Sequence, residues 1–188
     1  MKFACNILFI MVTICVGTVG AQLPTLSWET IATLGTKPTR SGHTGITYND
    51  TMVLFGGANI GYLNDVYMLK FKSNLQWIQV LPSGTAPSVR YMHSAIYHNM
   101  SMVVFGGTDD NYIYNDLFKL NFNTNNWLEA TTSGTRPGKR HSHTAIYYKE
   151  TMVVFGGYGY DGAVEYYLND LFQLNLSTHI WVELDQNR

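Results

Sequence analysis

The stretch "MVVFGG" stands at Met102–Gly107 and returns at Met152–Gly157, and "MVLFGG" occupies Met52–Gly57. The three copies are 50 residues apart. Each is an apolar, largely β-branched and aromatic run closed by two glycines. Such a run suits a strand buried on both faces, ending where backbones approach too closely for a Cβ. The surrounding sequence keeps the same rhythm. Upstream lie Gly35–Pro38, Gly84–Pro87 and Gly134–Pro137, all Gly-Thr-x-Pro, then Arg-x-x-His at Arg40–His43, Arg90–His93 and Arg140–His143. Downstream lie Asn64-Asp65, Asn115-Asp116 and Asn169-Asp170, and the tryptophans Trp28, Trp77, Trp127 and Trp181. A period of this length marks a repeated supersecondary unit.

Each unit reads as four short strands. The first alternates ("HTGITY", "HSAIYH", "HTAIYY"), the second is the apolar run, the third alternates again ("DVYMLKF", "DLFKLNF", "DLFQLNL"), and the fourth opens on Trp. None has the length or the 3.6-residue period of a helix. The three aspartates are expected to hydrogen-bond backbone amides at a strand start, and the tryptophans to fill the space between neighbouring sheets. The third unit carries extra residues after its glycine pair, "YGYDGAVEYYL", read as a long turn. "LSWETIATLG" (Leu26–Gly35) matches the last strand of a unit and has no unit of its own.

The chain has 188 residues, 46% of them hydrophobic and 13% charged, so it has the apolar content to build a core. A net charge of −1 gives no electrostatic reason to expect nucleic acid or an anionic membrane surface. Residues 1–21 differ from the rest. Lys2 precedes an apolar run that ends at Val19-Gly20-Ala21, with small residues where a signal peptidase reads. This is the pattern of a signal peptide cut after Ala21, leaving a secreted chain with no membrane attachment. Both cysteines, Cys5 and Cys15, fall inside it, so the mature chain 22–188 would have no disulfide, thiol nucleophile or thiolate metal site.

The order apolar run, Gly-Gly, aromatic strand, Trp resembles the kelch repeat, each unit being one blade of a β-propeller. The resemblance covers about residues 26–186, with repeats at about 36–82, 85–132 and 135–186. It implies an all-β fold: three four-stranded antiparallel blades plus one extra N-terminal strand, as an open or partial propeller. Two arrangements follow: the chain is part of a six- or seven-bladed protein, or two chains form a homodimer that closes a 3+3 ring.

The resemblance also places the Arg-x-x-His segments at one mouth of the channel. Arg40, Arg90 and Arg140, with the neighbouring Tyr91 and His141, are therefore the expected binding residues. They would contact a protein or peptide partner, an acidic one if the arginines do the binding, because Arg presents a planar donor fork suited to carboxylates. The competing reading pairs each Arg with a carboxylate of its own repeat. The loop Tyr158–Tyr166 could add contacts, and the pair Asp109-Asp110 could meet a basic group but reads more simply as a solvated turn. His43, His93 and His143 are expected to be structural and no metal or other cofactor is expected; His98 and His141 are expected at the surface.

An enzyme is not expected. The copper site of galactose-oxidase-like proteins needs a Cys the mature chain lacks, and Glu165, Asn169 and Gln173 fail the Glu-x3-Asp-x3-His pattern of the iron-dependent kelch specifier proteins. The leading expectation is a secreted interaction module. The alternatives are a part of a galactose-oxidase-like or carbohydrate-active enzyme whose catalytic residues lie elsewhere, and a structural extracellular component. Sequons at Asn49, Asn99 and Asn175 are candidate glycosylation sites, the first two at equivalent hairpin tips.

Overall fold

A computed structural model describes residues 9–12, 26–72, 74–160 and 164–184. Among them there is no helix, and the repeats become three antiparallel sheets. Blade one runs Thr44–Tyr48, Thr51–Ala58, Tyr62–Lys70, Gln76–Val80. Blade two runs Ser94–His98, Ser101–Phe105, Leu117–Asn121, Asn126–Glu129. Blade three runs Thr144–Tyr148, Thr151–Tyr160, Glu165–Asn175, Ile180–Glu183. Each strand pairs with the next one in the chain. Tight turns join the first two strands of each blade. In blades two and three both turn residues, Asn99-Met100 and Lys149-Glu150, have positive φ, as twisted two-residue hairpins require.

The apolar runs form the second strands, which are the most buried: Val53, Phe55, Val103, Phe105, Met152 and Val154 are all sealed, or nearly so. The glycine pair then bends the strand. Gly107 has φ +97, and a Cβ there would lie 2.7 Å from that of His93 and 2.9 Å from the Tyr91 carbonyl. No L side chain fits that space or that dihedral.

The blades are stacked through two cores. Ile46, Val53, Phe55 and Val66 of blade one meet Met102, Val104, Phe118, Leu120 and Trp127 of blade two. Ile96, Val103, Phe105 and Leu117 of blade two meet Met152, Val154, Phe172, Leu174 and Trp181 of blade three. Trp127 and Trp181 are 2% and 1% exposed, so these two of the four tryptophans fill the space between sheets as expected, while Trp77 is half-buried. The Gly-Thr-x-Pro segments supply a second link. Ser83–Gly84 and Ser133–Gly134 lie parallel to the outer strands of blades two and three, and Leu34 bridges Gln76 in the same way. Each blade's outer edge is thus covered by chain on its way in, which protects an otherwise open strand edge.

Two expectations need correction. The extra N-terminal strand at Ser27–Thr30 joins no blade, as expected, but it pairs with Phe9–Val12 and leaves Trp28 57% exposed rather than packed between sheets. The extra residues of blade three are not one long turn: they lengthen its second and third strands, which pair as far as Tyr160 and Glu165. Apart from Phe9–Val12, the leader at 1–21, with both cysteines, lies outside the described residues.

Candidate functional site

The repeated arginines were the leading site candidates, and the fold puts them inside. The Arg40, Arg90 and Arg140 side chains are 4%, 0% and 1% exposed. Each grips the aspartate of its own blade with both guanidinium nitrogens. Arg90 Nη1 and Nη2 donate to Asp116 at 2.5 and 2.9 Å, and Arg140 to Asp170 at 2.6 and 2.9 Å; Arg40 holds Asp65 likewise. Nη1 also donates to the first carbonyl of the glycine pair: Gly56, Gly106 or Gly156. An aromatic ring lies beneath each cation, as Tyr114 does at 4.3 Å from Arg90. The fork therefore ties the loop before the first strand to the second and third strands. Each guanidinium is buried with its fork committed to its own blade, so an acidic partner loses the cationic ring on which it was expected. The aspartates accept these forks rather than capping strand starts; Asp65 and Asp170 lie within strands.

The histidines of the motif join blade to blade. His93 Nε2 lies 2.7 Å from Thr44 Oγ1, and His143 Nε2 lies 2.7 Å from Ser94 Oγ. Burial, with Arg90 or Arg140 beside each ring, holds both pKa values down to about 3, so the imidazoles are neutral at pH 7. Neighbouring groups desolvate one side of the otherwise exposed His43 ring and lower it as well, Arg40 adding to it. Among the described residues no three of His, Cys, Asp and Glu come together as a metal would need.

The other two expected residues stand at the surface. The segments carrying Tyr91 and His141 pair beyond the apolar runs, Tyr91 with Thr108 just past blade two's second strand and His141 with Tyr158 near the end of blade three's. This is the end where the second-to-third-strand connections lie. Met92 N donates to Gly42 O and Ser142 N to Met92 O, both at 2.8 Å, linking the three blades in a row along this rim.

Side chains from all three blades converge there. Tyr62 of blade one stacks on Tyr91 of blade two, centroids 5.3 Å apart, and both hydroxyls donate to Asp110. That contact pushes the Tyr91 hydroxyl up to about 12 and lowers Asp110. Asp109 accepts from the Asn111 and Tyr112 amides at 3.1 and 2.8 Å, so the Asp-Asp pair organises its connection rather than only meeting solvent. Beside this lies a concavity of about 550 Å³ lined by Met92, His141, Ser142, Tyr158 and Tyr167. His141 and Tyr158 lie 5.2 Å apart, as do Tyr158 and Tyr167. Tyr167 is 88% and Tyr112 65% exposed.

Sequence reasoning missed Tyr62, Met92, Tyr112 and Tyr167. The available signal was variation inside the repeat: the residue after each Arg is Ser41, Tyr91 or His141, and the next is Gly42, Met92 or Ser142. His98 also differs from expectation. Its side chain is only 13% exposed and meets Glu150 at 2.8 Å.

A family model, the KLHDC2/KLHL20/DRC7 Kelch-repeats domain, matches residues 14–188. The chain belongs to the kelch-repeat family. Kelch domains generally act as protein-interaction modules, typically without catalysis. The arginine fork, the glycine pair and the inter-blade Trp are how this kelch chain builds its blades. The tyrosine-rich rim is what those blades present.

Proposed function

We propose that this kelch chain is a secreted, non-catalytic protein-binding module that holds its partner at the rim bearing Tyr91 and His141. The observation that carries this is the concavity beside them, walled by Met92, Tyr158 and Tyr167 and contributed by two adjoining blades. Tyrosine and methionine are enriched where proteins meet: tyrosine gives large contact area at low ordering cost, and methionine adapts its shape to a partner. The ring stack held by Asp110 fixes the neighbouring stretch of rim before a partner arrives, which lowers the cost of binding. On the secreted reading, Asn49 and Asn99 carry glycans at exposed hairpin tips, at the opposite end from the rim. Asn175 is a less open acceptor, since its side-chain oxygen is held by the Ser177 and Thr178 amides.

The test is a selection of binders from a displayed random-peptide library. Peptides recovered on the wild-type chain should lose at least about tenfold in affinity on Tyr167→Ala, the cost of losing an interface anchor. They should be unchanged on Lys70→Ala, at the other end of blade one. Binding indifferent to Tyr167 would refute the assignment.

A further inference from the structure

The end face of the third blade is open. Ile146, Tyr148 and Phe155 are 55, 53 and 50% exposed. The same positions in the other blades are covered: Ile46 and Ile96 are 8 and 5% exposed, and Phe55 and Phe105 are both sealed. What covers them is the same each time. Phe55 meets Trp127 at 4.9 Å and His93 at 5.2 Å, and Phe105 meets Trp181 at 5.1 Å and His143 at 5.4 Å. The hydroxyls of Thr44 and Ser94 bind the same histidines. A large exposed apolar face on a soluble chain calls for an occupant. Two copies of this contact specify it: a blade that offers Trp, His and Met from the matching strands.

The first blade has that set. His43, Met52 and Trp77 stand at the positions of His93, Met102 and Trp127, with Leu54 and Leu69 at those of Val104 and Leu120. His43 is exposed and Met52 and Trp77 are half-buried, while Leu54 and Leu69 are already covered. Among the described residues no blade precedes it.

We propose that a second copy of the chain docks head to tail on this face, its first blade against Ile146, Phe155 and Thr144 of the third. The reciprocal contact then closes a two-fold ring of about six blades, within the range propellers use. The second contact forms within an assembled pair, so it gains from a high effective concentration. Closure brings the two tyrosine rims to one mouth. This surface is separate from the rim and does not depend on the rim's role.

The test is the mass in solution, by sedimentation, of the chain made in a secretory host. A dimer is expected at micromolar concentration. Phe155→Asp and Ile146→Asp should each raise its dissociation constant at least about tenfold. Both side chains are already half-exposed in one chain, so the circular dichroism and melting of the monomer should be retained. As a second readout, Thr144→Cys chains mixed with His43→Cys chains should be joined by a short bis-maleimide, because Thr44–His93 and Ser94–His143 show these positions in contact. Each variant alone should give no joined product. A monomer at every concentration, a dimer indifferent to Phe155→Asp, or equal joining by one variant alone would overturn the proposal. The first outcome would leave a blade of a longer or different polypeptide as the occupant.

Discussion

Removing Asp116 while leaving Arg90 in place separates a buried lock from a binding rim. The Arg90 guanidinium is fully buried and keeps three kinds of partner: the Asp116 carboxylate, the Gly106 carbonyl at 3.0 Å and the Ser88 carbonyl at 3.1 Å. Asp116→Ala takes away both charge-assisted bonds and leaves a cation held by carbonyls alone. Breaking a buried pair from one side costs about 3–5 kcal/mol. Asp116 is 23% exposed, so water screens part of the charge and the low end applies, about 3 kcal/mol. For a domain of this size that lowers Tm by about 6–12 °C. The assay is urea unfolding of wild type, Asp116→Ala and the double variant Arg90→Met with Asp116→Leu. The double variant should recover most of the loss, because no unpaired charge remains. A loss under about 1 kcal/mol for Asp116→Ala would refute the lock, and with it the reading that these arginines are unavailable to a ligand.

Stability should fall as the medium is acidified. His93 and His143 have folded pKa values of about 3, below the usual value of 6.5. The unfolded chain therefore binds their protons first. Stability is full above pH 6.5 and declines towards pH 3, each histidine contributing up to about 1.4 kcal/mol per pH unit. Urea midpoints against pH should show this slope, and His143→Gln should flatten it. Gly107→Ala should destabilise by at least about 2 kcal/mol in the same assay, through positive φ and the clash with His93, while Gly138→Ala, with open space around it, should stay within about 0.5 kcal/mol. Asp110→Asn should lower the pKa of Tyr91 from about 12 towards that of free tyrosine, read by ultraviolet titration, because the hydrogen bond to the carboxylate is the largest cause of the rise.

The blades were legible in the sequence because each repeated residue has one physical task in every copy. Glycine pairs, apolar second strands and inter-blade tryptophans all sit where the repeat places them. Of the two readings the sequence allowed for the arginines, a binding ring at the mouth and pairing with a carboxylate of the same repeat, the fold adopts the second. A residue present in every unit is serving the unit, and the aspartate that pairs with it lies 25 to 30 positions away, too far for local spacing to reveal. The rim was half-legible. Tyr91 and His141 entered only as neighbours of the arginines, although their variation at a fixed repeat position is the signal that marks the rim. Tyr62 and Tyr167 join them only through strand pairing that no single unit encodes, and the extra residues of blade three become strand because they continue an antiparallel ladder.

The central claim is that partners are held at the tyrosine rim, and methionine methyl NMR tests it most directly. Met92 is 40% exposed beside the concavity, whereas Met102 and Met152 are sealed between blades. In a chain carrying 13C-methyl methionine, titration with a selected peptide should move the Met92 resonance and leave Met102 and Met152 in place. Saturable binding with Met92 unmoved would contradict the account.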